Sequence, residues 1–150
     1  MTVNPVEIEL IENGDYYIKL NHDALEDIEV SLSRVPEDKR GGVARALFFA
    51  SALYCMAGSV NYMLKARKVL VKDINGSVSV RMGKDERGRD LIESMTLNIG
   101  VDIPDENKSE LDRCIKYLED GCLITRGLKE SKSRTISRES LNKIQRLSNP

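Results

Sequence analysis

The stretch from Ala46 to Leu64 reads A-L-F-F-A-S-A-L-Y-C-M-A-G-S-V-N-Y-M-L, and its reading decides the fold. It carries no charge and is apolar on every side. A helix of that kind is buried all round. Its length also meets the requirement for a membrane span, about 20 apolar residues. However, Ser51, Gly58, Ser59 and Asn61 dilute its hydrophobicity, Arg45 and Lys65 bracket it, and no second such stretch follows. The reading is therefore a buried helix of a soluble protein, running from near Val43 to Lys65–Lys68, with Cys55 at its centre.

Upstream, V-E-I-E-L-I-E from Val6 to Glu12 alternates as a strand, with Val6, Ile8 and Leu10 on one face. Asn13-Gly14 is a short hairpin signal, and Tyr16–Leu20 returns as a second strand. Ile28, Val30 and Leu32 mark a third, and the polar run from Arg34 to Gly42 is a loop. Downstream, Val69–Ile74 and Val78–Met82 flank Asn75-Gly76 and predict a second hairpin. Gly83–Asp90 is a charged loop. Leu91–Ile103 is a long strand, with Met95, Leu97, Ile99, Val101 and Ile103 on one face. Pro104 and Asp105 open a helix to about Asp120, with Leu111, Ile115 and Leu118 as its stripe. Gly121 ends it and Cys122 opens a short segment. Leu141, Ile144 and Leu147 predict a final amphipathic helix. Runs of strands separated by helices indicate the α+β class, antiparallel, with the long helix central. At 150 residues one domain is expected, with N-terminal strands over 1–34, a core over 43–128 and a tail over 129–150.

A net charge of -1 gives no reason to expect nucleic acid or an anionic membrane. The first ten residues hold acids and a proline, not a signal peptide, so a cytoplasmic, reducing setting is expected. There, cysteines are free, catalytic or metal-binding more often than bridged. His22 is the only histidine, which excludes a multi-histidine metal site. No C-x-x-C spacing supports zinc, and no glycine-rich phosphate loop is present. Neither metal nor cofactor is expected. Lys65, Arg67 and Lys68 read as a solvated helix end, where cations suit the dipole.

The three cysteines carry the remaining chemistry. A free cysteine in an apolar helix is usually a small hydrophobe, and that is the plain reading of Cys55. Cys122 follows a helix-ending glycine, and a helix N-terminus favours a thiolate. Cys114 lies near an apolar stripe and reads as packing. A core thiol plus a thiol at a helix start is the raw material for dithiol redox chemistry. It is equally what two inert cysteines look like.

The order G-G-V-A-R-A-L-F-F-A-S-A-L-Y-C, then strands, then a helix ending in G-C-L-I-T-R-G-L, resembles the OsmC family, which includes the organic hydroperoxide reductases. The resemblance spans roughly Gly41 to Leu128. It implies an intertwined homodimer with central cysteine helices. It implies Cys55 as the peroxidatic thiol, attacking the distal peroxide oxygen to give a sulfenic acid, and Cys122 as the resolving thiol that condenses to a disulfide. An external dithiol or thiol would then restore the pair. An apolar site raises a thiol's pKa, so speed at neutral pH requires a nearby cation. Family reductases use an arginine from the N-terminal strands, held by a glutamate about ten residues before the peroxidatic cysteine. Here that position is Arg45, no arginine precedes Arg34, and Leu123 stands where a proline usually follows the second cysteine. Arg45, Arg34 and Arg126 are the substitute cations. Arg45 lies about 15 Å along the helix from Cys55 at ~1.5 Å per residue. The competing reading is a non-catalytic or divergent dimer of the same fold that binds a small apolar ligand.

The all-apolar helix also makes an oligomer prediction. Burying a Leu or Phe side chain is worth about 1.5–3 kcal/mol relative to exposure. A homodimer is expected, with an apolar interface above roughly 2,000 Å². Sedimentation at low micromolar concentration checks this, and a well-folded monomer there contradicts it.

Overall fold

The computed structural model describes residues 4–130. Their elements are β1 (Glu7–Leu10), β2 (Tyr16–Lys19), β3 (Ile28–Val30), α1 (Val43–Ala66), β4 (Asp73–Lys84), β5 (Asp90–Asp102), α2 (Lys108–Tyr117) and α3 (Leu123–Glu130), with short 3-10 turns between several of them. The class is α+β, as expected, and every strand pairing is antiparallel. The chain forms two compact units, one through Ala50 and one from Ser51, so the boundary falls inside α1. The helix expected around Leu141–Leu147 lies outside the described residues.

The first unit is a three-stranded sheet in the order β1-β2-β3. Its first turn forms at Asn13 and Gly14, which adopt φ of 62° and 80°. Those left-handed angles are what Asn and Gly tolerate best. Asp15 is buried and ties this turn to the Leu32–Arg34 turn, accepting the Ser33 backbone N–H at 2.7 Å and its hydroxyl at 2.6 Å. The hydroxyl and N–H of Ser33 hold the Asp15 carboxyl below its ordinary value. Val6, Ile8 and Leu10 do share a face, but all three are exposed. Ile8, Tyr16, Ile18 and Leu32 open onto an apolar groove of about 340 Å³ with Val43 and Leu47.

The second unit corrects one expectation. Asn75-Gly76 is not a turn: β4 runs straight through it, with Asn75 paired to Gly100 and Gly76 to Ile99. The turn lies instead in the charged segment. There the Asp85 carboxylate accepts the N–H groups of Arg87 and Arg89, each at 2.9 Å, and pairs with the Arg89 guanidinium at 2.7 Å. Gly88 supplies the positive φ of 75°. An Asp side chain that holds nearby backbone donors in this way closes a turn. Gly76 serves another purpose. A Cβ there would meet the Asn98 carbonyl oxygen at 2.8 Å, Ile99 Cδ1 at 3.0 Å and Leu53 Cδ1 of α1 at 3.1 Å. The glycine allows the helix to approach the strand.

The core of this unit joins Val60 and Leu64 of α1 to Val69 and Cys114, with Val101, Leu111 and Leu118 packed around them. Cys114 is fully buried and packs, as read from the sequence. It also displaces Ile115 from the expected stripe: Ile115 is 54% exposed. The helix α1 departs further from expectation. Only Ala52, Val60 and Leu64 are buried within the single chain. Tyr54 and Tyr62, two positions on and so about 200° round the helix, are 81% and 76% exposed. The helical stretch Glu37–Ala66 contains an 18-residue window with a mean hydropathy of 1.5 and is long and apolar enough to cross a membrane by length and composition.

Replacing Gly76 by valine puts branched carbon where the strand backbone and Leu53 already sit. The expected cost is about 1–3 kcal/mol of overpacking, read as a lower urea midpoint. An unchanged midpoint would show that α1 does not approach β4 as described.

Candidate active site: a thiol pair at a helix start

The end of α2 sets the geometry. Leu118 donates its N–H to the Cys114 carbonyl at 3.1 Å, and Gly121 donates to the Leu118 carbonyl at 2.9 Å. Gly121 then turns the chain with a φ of +101°, and a Cβ there would collide with the Thr125 hydroxyl. Glycine is therefore required twice at this position, by backbone angle and by space. The turn places Cys122 as the residue before α3, with its carbonyl accepting the Arg126 N–H at 2.9 Å.

Cys122 and Thr125 then cap each other. The Cys122 N–H donates to Thr125 Oγ1 at 3.0 Å, and the Cys122 sulfur accepts the Thr125 backbone N–H. This is a capping box with sulfur in the place of the usual hydroxyl or carboxylate. The Thr125 hydroxyl also lies 3.5 Å from the Cys122 sulfur.

Cys55 meets this helix start from the middle of α1. The two thiols come near enough to shift each other's ionisation although 67 positions separate them. The Cys55 sulfur also accepts the backbone N–H groups of Ile124 and Leu123. The first N–H groups of a helix have no partner within it. In α3 they point at two sulfurs instead.

The two thiols respond differently. Burial pushes Cys55 up, and the adjacent Cys122 sulfur adds to this against the pull of the Ile124 N–H, so its pKa is raised. Burial also pushes Cys122 upward, but the Thr125 N–H, the Thr125 hydroxyl, the Cys55 thiol and the Ile124 N–H together outweigh it. The Cys122 pKa is lowered. Cys114 is raised by burial. All three thiols are free.

A cavity of about 450 Å³ adjoins Cys122. Ser59, Tyr62, Arg67, Tyr117, Cys122 and Arg126 supply its polar lining, and Met63, Leu118 and Leu123 its apolar lining. Cys55 stands one helical turn before Ser59, whose hydroxyl donates to the Cys55 carbonyl at 2.7 Å. Arg67 is held by Glu110 at 3.2 Å, and Glu110 also takes Arg113 at 3.1 Å.

Of the residues singled out in the sequence, Cys55, Cys122 and Arg126 come together here. Arg34 and Arg45 belong to the first unit, where Arg34 pairs with Glu29 at 3.6 Å and the Arg45 guanidinium lies over Gly42. Sequence reading placed Arg67 on a solvated helix end and passed over Glu110 and Thr125. The C-x-x-T spacing was a legible capping signal for Thr125. Nothing in the spacing of Arg67 and Glu110 announces their pairing. Among the described residues no group of three or more His, Cys, Asp or Glu is placed to hold a metal.

Comparison with known proteins gives the fold its family. No curated protein sequence matches the chain. An OsmC-like protein from Mycoplasma pneumoniae is similar in structure, with a TM-score of 0.64 and 14% identity over 86% of this chain and 89% of that one. A hypothetical protein from Aquifex aeolicus is similar with a TM-score of 0.63 and 19% identity over 89% and 92%. An organic hydroperoxide resistance protein from Elizabethkingia anophelis, crystallised with thiocyanate, has a TM-score of 0.50 and 18% identity over 77% and 84%. The sequence model of the OsmC-like proteins matches residues 37–137, which contain both cysteines of the pair, and the chain belongs to that family.

Proposed function

We propose that this chain is a thiol-dependent peroxidase that reduces organic hydroperoxides through the Cys55–Cys122 pair. The observation that carries the reading is that two free thiols, Cys55 and Cys122, come near enough at the start of α3 to shift each other's ionisation. One sulfur takes the hydroxyl oxygen of the peroxide and becomes a sulfenic acid. The other condenses with it, giving a disulfide and water. An external dithiol or thiol returns the pair to the reduced state by exchange. The OsmC-like family and its hydroperoxide resistance members support this reading. A cytoplasmic setting goes with it, since free thiols persist in a reducing compartment. The competing reading, an apolar ligand bound without chemistry, fits less well with Arg67 and Arg126 in the cavity wall.

The same reading includes a homodimer. Tyr54 and Tyr62 on α1 and the Val6, Ile8 and Leu10 face of the first sheet are exposed in the single chain. Exposed apolar faces of this kind call for a partner. We assign it to a second copy and not to lipid: Ser51, Ser59 and Asn61 interrupt α1, and Val60 and Leu64 are already committed to the core.

Two outcomes follow. Treating the reduced protein with one equivalent of cumene hydroperoxide should remove two of three titratable thiols, restored by dithiothreitol. No loss, or loss that dithiothreitol does not reverse, would contradict the dithiol cycle. The second outcome is a pH dependence. A lowered pKa keeps Cys122 ionised below the usual ~8.5, and a raised one delays Cys55 beyond it. Peptide mapping after iodoacetamide treatment across pH 5–10, on the order of the range spanned by ordinary thiols, should show Cys122 reactivity persisting to lower pH than that of Cys55. The opposite order would refute the capping account.

A further inference from the structure

We infer that the cavity beside Cys122 is a carboxylate-binding subsite. It takes a small monoanion with an apolar stem, the carboxylate on Arg126 and Arg67 and the stem on Met63, Leu118 and Leu123. The inference rests on the peroxidase reading above for the use of the subsite, while the binding itself stands without it.

The charges of the wall come first. The described residues that line the cavity include two arginines and no acidic side chain. Glu110 balances part of that charge from outside the lining, but it is shared between Arg67 at 3.2 Å and Arg113 at 3.1 Å. Arg126 meets no carboxylate among the described residues. The cavity therefore keeps an uncompensated positive charge.

The two arginines differ in a way that suits a ligand. Arg67 is held at two points, with Nε on Glu110 and Nη1 donating to the Met63 carbonyl at 3.0 Å. Among the described residues nothing takes its Nη2. Arg126, in the first turn of α3, is exposed and can close on an anion that Arg67 receives. A guanidinium presents a planar fork of donors that matches a carboxylate.

The rest of the wall sets the ligand class. A volume of about 450 Å³ falls within the roughly 300–1,000 Å³ that holds small organic ligands. Met63, Leu118 and Leu123 form its apolar side. An apolar chain covers them, whereas the further oxygens of a phosphate would face them unpaired. Cys122 stands in the same wall, so a ligand held here lies on the Cys122 side of the thiol pair. Two reactants of the cycle can bring a carboxylate there: the hydroperoxide, or the thiol that restores the pair.

The test is calorimetric titration of the reduced, full-length protein with octanoate and with octanamide, its neutral counterpart. Octanoate should bind at least about tenfold more tightly, as one charge-assisted hydrogen bond provides. Arg126→Gln should bring the two ligands to parity, and Arg126→Lys should keep part of the preference. Equal binding by the unsubstituted protein, or a preference that survives Arg126→Gln, would overturn the subsite. Inorganic phosphate binding more tightly than octanoate would overturn the carboxylate class. KM values then assign the source. A KM raised by Arg126→Gln for dihydrolipoate but not for dihydrolipoamide places the carboxylate on the reductant. A KM raised for a carboxylated cumene hydroperoxide but not for cumene hydroperoxide places it on the oxidant. No change in either would overturn the part of the subsite in the cycle. Selective octanoate binding by a chain that consumes no hydroperoxide would overturn the peroxidase reading and leave the subsite standing.

Discussion

The first-turn N–H groups of α3, shared between two sulfurs, are the interaction on which the site depends. A helix start has donors to spare, and a buried sulfur can accept them. Leu123, Ile124 and Thr125 supply those donors to Cys55 and Cys122. The arrangement needs Gly121 to turn the chain, Thr125 to fix the Cys122 backbone, and α1 to bring Cys55 alongside. It makes two thiols of one residue type chemically unequal. Burial alone would push both up. The Thr125 contacts of Cys122 and the mutual influence of the two thiols separate them.

The rest of the second unit holds that helix start in place. Val60 and Leu64, one and two turns beyond the Cys55 region of α1, lock into the core with Cys114 and Leu118 of the α2 segment. Gly121 follows Leu118 closely, so the core that anchors α1 also anchors the turn before Cys122. Cys114 is therefore structural for the site without taking part in its chemistry. Its sulfur is fully buried and its pKa raised by that burial.

Much of this was legible in the residues. The α+β class, the bounds of α1, the first turn at Asn13-Gly14 and the helix start at Cys122 all follow from local patterns with a physical cause. The Asn75-Gly76 reading failed because the same dipeptide suits a turn and a close helix approach. Only the position of Leu53, a tertiary fact, decides between them. The Ile115 stripe failed because Cys114 is small enough to take the inward position. Full burial of α1 was argued from composition alone. The single chain covers one face and leaves Tyr54 and Tyr62 exposed. The approach of Cys55 to Cys122, and the pairing of Arg67 with Glu110, join residues far apart in sequence. No local pattern encodes them. The family resemblance supplied the first and was silent on the second.

The central claim is that Cys55 and Cys122 of one chain are a redox couple. The most direct measurement is non-reducing peptide mapping after a stoichiometric dose of organic hydroperoxide. The account predicts a single cross-linked species joining the Cys55 and Cys122 peptides, with Cys114 still free. A cross-link that includes Cys114, one that joins two chains, or a pair left reduced while peroxide disappears would contradict it.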